Sequence, residues 1–201
     1  MEHAIAILLL LSGIQPVFVV DPVYPPNVLA GGTVIATLSI SRGSVAEVTI
    51  VSGNEPFAES VMTALKAWRF SPEIADARVP VVVYFRNPNP MTASPAAQEV
   101  DLPRGSRRDR TLAYPAKVVE PVYPANALGQ GSAVVRLEID QSGKVTRVDP
   151  LKSSGDLARS FANAAPMWRF LPAEDDKGHP VPSEALAVCV YRLPVLAAPP
   201  R

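Results

Sequence analysis

Hydrophobic and polar positions repeat along this chain in one order, twice. From Ala36 the residues alternate. Ala36, Leu38 and Ile40 fall on one face and Thr37, Ser39 and Ser41 on the other, the period of a strand with one buried face. Arg42-Gly43-Ser44 turns the chain into a second strand over residues 45–51, and Ser52-Gly53-Asn54 reads as a capping loop before a helix. Phe57, Val61, Leu65 and Trp68 then recur at i, i+4, i+8 and i+11 as one apolar stripe, with Glu59, Ser60, Lys66 and Arg69 largely outside it. Pro72 stops that helix. Residues 79–85 are β-branched and apolar on both faces, and Pro80 near their start is compatible only with a strand beginning or an edge. Ahead of the first strand, Tyr24-Pro25-Pro26 opens a short helix that runs to about Leu29, and Gly31-Gly32 ends it.

The second pass is sharper. Tyr123-Pro124 opens a short helix closed by Gly129 and Gly131. Val135, Leu137 and Ile139 point inward, while Arg136, Glu138 and Asp140 are expected to face water. Residues 140–143 form a glycine hairpin, and Pro150 makes the next strand short or irregular. Ser153-Ser154-Gly155 leads, by side-chain capping, into a helix striped by Leu157, Phe161, Ala165 and Trp168. Pro166 inside that helix removes the hydrogen bond to Ala162 O and would cost about 3 kcal/mol in an ideal interior, which predicts a kink or early loosening. A last strand spans about 185–192. The landmarks are shared phrases: Tyr24-Pro25 with Tyr123-Pro124, and Trp68-Arg69-Phe70-Ser71-Pro72 with Trp168-Arg169-Phe170-Leu171-Pro172, offset by 99 and 100 residues. The reading is a tandem duplication of an α+β unit, β-β-α-β preceded by a short helix.

Composition places boundaries around this repeat. The chain has 201 residues, enough for two small domains, and 48% are hydrophobic, enough for cores. Residues 16–87 and 118–194 are the expected domains, and 195–201 a tail. Residues 88–117, rich in Pro, Ser and charge, read as a linker spanning ~30 Å as coil and up to about 90 Å extended. Residues 4–11 are an unbroken apolar run followed by Ser12-Gly13, so residues 1–15 read as an export signal, with no Lys or Arg ahead of the run and no A-x-A pattern after it. The alternatives are a signal truncated at its start and a membrane anchor reaching about Val20, which Gln15 and Pro16 interrupt.

Charge and chemistry narrow the function. Nineteen basic and nineteen acidic residues cancel, so no field of one sign points to nucleic acid or an anionic membrane. Arg104, Arg107, Arg108 and Arg110 cluster in the linker without interleaved aromatics, a solvated charge run. The single cysteine, Cys189, sits between Val188 and Val190 and reads as a buried small hydrophobe. His179 near Glu174, Asp175, Asp176 and Lys177 is a weak ligand set, and neither a nucleophile elbow nor a phosphate loop is present. Trp68 and Trp168 on apolar stripes read as core residues. No catalytic, metal or cofactor residue is expected, and the chain does not read as an enzyme.

Tyr-Pro at the start, glycine before the first strand, a glycine hairpin, Ser-Gly before the helix and Trp-Arg-Phe-x-Pro after it form an ordered set found twice. In this set the chain resembles the C-terminal domain of TonB, the energy transducer of the Gram-negative envelope. Residues 118–194 carry the closer match, ending in Trp168-Arg169-Phe170-Leu171-Pro172-Ala173. The resemblance implies, for each copy, one main helix on a three-stranded antiparallel sheet whose final strand is an edge, and it implies a periplasmic location. It implies that this edge accepts extended segments of envelope or outer-membrane receptor proteins by strand addition. Carried onto this chain, the edges are Val81, Val82, Val83, Tyr84 and Phe85, and Val188, Cys189, Val190, Tyr191 and Arg192. A homodimer through the same edges is the other use of such strands. The resemblance departs in the spacer: a full transducer has a long one before the domain, whereas here Asp21-Pro22-Val23-Tyr24 follows Val20 at once. The expected function is therefore a periplasmic protein-binding module, and the alternative a membrane-anchored component of TonB-dependent transport.

Overall fold

The computed structural model describes residues 13–87, 97–100, 102, 109–124, 130–152 and 155–193. In the first half, β1 (Pro16–Phe18), β2 (Gly32–Ser41) and β3 (Ser44–Ser52) precede α1 (Phe57–Lys66), then β4 (Arg69–Phe70) and β5 (Asp76–Phe85). Between the halves lie β6 (Ala97–Glu99) and β7 (Tyr114–Val119). The second half has β8 (Gly131–Ile139), β9 (Val145–Lys152), α2 (Asp156–Ala164), β10 (Arg169–Leu171), the small hairpin β11 (Ala173–Glu174) and β12 (Pro180–Val181), and β13 (Ser183–Tyr191). The two hairpins and both helices fall where alternation and stripe place them. The helix of the second half tightens into a 3-10 turn at Ala165–Met167, where Pro166 removes a donor.

The halves share a sheet. One eight-stranded sheet runs through both, in the order β1-β4-β3-β2-β5-β13-β8-β9. Its centre is the parallel pair β5–β13, with Val81 opposite Leu186, Val83 opposite Val188 and Phe85 opposite Val190. On their other sides β5 pairs with β2 and β13 with β8, both antiparallel. Pro80 lies one residue before the parallel pairing begins, a place where a missing N–H interrupts no ladder between the halves.

The two helices lie on opposite faces of this sheet. On one face α1 covers Val81, Val83 and Phe85 together with Leu186, Val188 and Val190 of the second half. On the other, α2 covers Ala185, Ala187, Cys189 and Tyr191 together with Val82 and Tyr84 of the first. Each half thus completes the other's core, and residues 81–85 and 185–190 are buried on both faces. Strands covered on both faces read as continuous apolar runs, which is the pattern seen at 79–85.

Four expectations need correction. The short helix after Tyr24 is instead a turn at 26–27, with Val28 N bonded to Pro25 O at 3.3 Å; its counterpart at 125–129 lies outside the described residues. The linker is in part a structured layer: β6, β7 and β10 form a three-stranded sheet, and Tyr114 OH meets Thr37 Oγ1 at 3.0 Å. Thr37 and Arg136 are buried rather than wet. Thr37 faces Tyr114, and Arg136 lies under Gly13, bonded to Asp149 Oδ2 at 2.5 Å. Nor does the N-cap residue of α1, Pro56, supply a side-chain cap; Asn54 offers its backbone oxygen to Phe57 and Ala58, and the side-chain bond at this end comes from Glu55, whose Oε2 accepts from Glu59 N at 3.1 Å.

At the N-terminus, residues 1–12, with the whole of the apolar run, lie outside the described residues. From Ile14 onward the chain belongs to the folded body. Ile14 N donates to Glu184 Oε2 across the sheet, and Ile14, Val19 and Val20 pack on the core under α1. No helix among the described residues is long and apolar enough to cross a membrane.

Candidate interaction surface

The Trp-Arg-Phe-x-Pro stretches hold the frame. Trp68 Nε1 donates to Val20 O at 2.9 Å, and Trp168 Nε1 to Val119 O at 3.0 Å. Both indoles are fully buried, so the strand before each Tyr-Pro phrase is fixed by a satisfied donor inside a core. Arg69 and Arg169 cap their helix ends, donating to Lys66 O and Trp68 O, and to Pro166 O and Trp168 O. Phe70 N reaches Gly43 O at 2.7 Å, and Phe170 N reaches Gly143 O at 2.8 Å. The hairpin glycines are needed there: their φ angles are 75° and 79°, and a Cβ would stand 2.7 Å from Phe70 O and 1.9 Å from Phe170 O. Pro72 lies against Gly43 on the same approach, while Pro172 separates β10 from β11.

Tyr24 and Tyr123 do more than mark the repeat. Tyr24 packs edge-on against Phe85 at 5.6 Å, and Tyr123 against Tyr191 at 6.2 Å. Each also receives an arginine from the end of the other half's central strand. Arg86 lies over the Tyr123 ring at 5.4 Å, and Arg192 over the Tyr24 ring at 5.6 Å. Arg86 Nε donates to Pro121 O, and Arg192 NH1 to Val28 O and, at 3.4 Å, to Pro25 O. This crossed pair locks the halves together and was not foreseen from the sequence. The signal for it was present: both final strands end in an aromatic followed closely by Arg.

Beside it lies a buried polar group. Tyr84 OH donates to Glu120 Oε2 at 2.9 Å, and Gln98 Nε2 donates to Tyr84 OH. Glu120 Oε1 is 3.6 Å from Arg86 Nε, beyond a hydrogen bond but within reach of its charge. Burial, and then the Glu120 charge, push the Tyr84 hydroxyl well above its ordinary pKa. Burial likewise raises Tyr191 and the Cys189 thiol, and takes Tyr24 up to about 12. These groups stay protonated, as structural donors. His179 Nδ1 is 3.3 Å from Asp175 Oδ2 in an exposed turn, and among the described residues no group of three or more His, Cys, Asp or Glu side chains could hold a metal ion.

The expected binding strands thus have a different place. Val81, Val82, Val83, Tyr84 and Phe85 pair with residues 186–190, and Tyr191 pairs with Gly131. They are central strands, not edges, because each half supplies the strand the other would otherwise lack. The edges of the large sheet lie elsewhere. β9 is one, and β3 meets β4 only at Ser44. β1, beyond β4, is the third and leaves Val17 70% and Phe18 56% exposed. An apolar groove of about 360 Å³ also opens along α1, lined by Val20, Val23, Pro26 and Pro56 among others.

Compared with known proteins, residues 119–193 match the family model described as Gram-negative bacterial TonB protein C-terminal. That span holds β8 to β13 and α2, the whole second-half unit. No curated protein matches the chain.

Proposed function

We propose that this chain is a periplasmic protein-binding module that engages envelope transport proteins through extended segments of those proteins. The observation that carries the reading is the family match over residues 119–193, which covers the complete second-half unit. That family is one of protein interaction and energy transduction, not of catalysis. The matched contacts of Trp68 with Trp168, and of Gly43 with Gly143, support taking the first half as a diverged copy of the same unit. In this arrangement the final strands serve to join the copies, so recognition passes to the remaining strand edges. There a partner's backbone can complete a ladder and its side chains can set selectivity.

The test is photocrosslinking in cells from exposed positions 17, 49 and 122, with the products identified by mass spectrometry. Envelope transport proteins are expected among them. Crosslinks confined to the chain itself, or to proteins of other compartments, overturn the reading.

A further inference from the structure

The linker-derived strand β6 shows what fits beside the strand that precedes a Tyr-Pro phrase. β6 adds antiparallel to β7, with Ala97 opposite Val119, Gln98 opposite Val118 and Glu99 opposite Lys117, and Val100 N bonds to Ala116 O at 2.9 Å. On its other side β7 pairs with β10, Lys117 opposite Arg169 and Pro115 opposite Phe170. The first half repeats this second pairing: Phe18 lies opposite Arg69 and Pro16 opposite Phe70. Phe18, Val19 and Val20 therefore correspond to Lys117, Val118 and Val119. Among the described residues, no strand takes the place of β6 beside them. The consequence is visible in burial, since Val118 and Val119 are buried whereas Val19 and Val20 are half-exposed and Phe18 is open.

We propose that the outer side of residues 18–20 is the acceptor edge for an extended segment of a partner protein, which pairs antiparallel as β6 does and places an apolar residue opposite Phe18. The proposal rests on the protein-binding reading above and names its surface. The apolar requirement follows from the change at one position. In the second half Glu99 lies opposite Lys117 in register, residues of opposite charge, while in the first half an exposed phenyl ring stands where that lysine would be. The other edges have no such template. β9 carries Arg147, Asp149, Pro150 and Lys152, features that blunt an edge, and among the described residues nothing pairs along the outer side of β3 in the way β6 pairs along β7.

The probe is a synthetic peptide with the sequence of residues 96–102, together with its Glu99→Leu form, titrated into the full chain and followed by backbone amide shifts. The leucine peptide is expected to shift the amides of residues 17–20 and to bind about fivefold tighter than the glutamate peptide, the upper range for one cross-strand pair. In the Phe18→Lys chain the order of the two peptides is expected to reverse. The side chain at 18 is exposed, so this substitution leaves the core intact. Absence of shifts at 17–20 with either peptide, or shifts along β3 instead, overturns the proposal, as does an unchanged order in Phe18→Lys. Protection of these amides that is lost on deleting residues 1–12 assigns the edge to the chain's own N-terminus. Protection that rises with protein concentration assigns it to a second copy. Either result also overturns a foreign partner. Envelope crosslinks without peptide binding at 17–20 leave the functional reading standing and sink only this edge, while peptide binding without such crosslinks does the reverse.

Discussion

Leu186 lies in the second half of the chain but is fully buried in the core under α1, opposite Val81. Leu186→Ala removes three carbons from a core built mainly from the first half's residues, with Val134, Val188 and Val190 of the second. Truncations of this kind cost 2–5 kcal/mol, and a fully enclosed site beneath a helix gives about 3 kcal/mol. For a chain of this length that lowers the melting temperature by roughly 6–12 °C. The informative part is which half responds. The two tryptophans, Trp68 and Trp168, report the two cores separately, so Trp168→Phe and Trp68→Phe backgrounds give one probe for each half. Followed by fluorescence in denaturant, both probes are expected to show a single coincident transition, and Leu186→Ala is expected to shift both by the same amount. Separate midpoints before mutation would refute the shared core. So would a shift confined to the Trp168 signal, the result expected if the second half folded alone.

Gly143→Ala forces a non-glycine residue into positive φ and drives its Cβ into Phe170 O, for a loss of roughly 2–4 kcal/mol in chemical denaturation. Gly43→Ala is expected to cost less, since its contact with Phe70 O is looser, and equal costs would refute the reasoning. Tyr24, Tyr84 and Tyr191 keep their phenolic protons in the fold above the ordinary tyrosine value of about 10, Tyr24 up to about 12. Above that ordinary value the unfolded chain sheds protons the folded chain holds, so stability falls as pH rises. Tyrosinate absorbance should lag in the native chain, and denaturation midpoints should drop across this window; a flat midpoint refutes it. Cys189, buried and with its thiol pushed up by burial, is expected to react with a thiol reagent only at the rate of global unfolding, and rapid native labelling would place it at an accessible edge after all.

Local order was legible in the sequence because it depends on local pattern. Ala36, Leu38 and Ile40, and the stripe from Phe57 to Trp68, are determined by neighbours two to four residues away, and they face the core as that periodicity implies. The place of residues 79–85 was only half legible. Their apolar character on both faces is the mark of a covered strand, but no local signal names the strand that covers it, and here it lies about a hundred residues away. The same limit hid the layer made by the linker. Tyr114 to Val119 lacks a sustained period because Pro115 and Lys117 interrupt it, and its partners β6 and β10 are short and distant. A signal was nevertheless available in the longer repeat. Val19-Val20-Asp21-Pro22 and Val118-Val119-Glu120-Pro121 extend the shared phrase upstream of Tyr-Pro, into residues otherwise assigned to a leader and a linker. The final strands read as edges for a related reason: whether a final strand is an edge depends on what the other half does with its own, and here each pairs with the other.

The central strand pair poses a register problem that its own side chains do not solve. Residues 81–85 and 186–190 are nearly all apolar, most of them valine or smaller, and a slip of one residue would exchange the two faces while still burying hydrophobic surface. The polar groups at the strand ends supply the missing discrimination. Tyr84 must point to the face where Glu120 accepts its hydrogen bond, and Arg86 must reach both Pro121 O and the Tyr123 ring, so a slip would part the buried Glu120 carboxylate from Tyr84 and the buried Arg86 guanidinium from Pro121 and Tyr123. Leaving such a charge unpaired costs several kcal/mol, far more than is lost by sliding one valine past another. Arg192 over Tyr24 imposes the same condition from the opposite strand. The buried polar cluster is thus best understood as the device that selects one parallel register, and with it the face on which each helix lies and the side of the molecule on which the edge at Phe18 is left open.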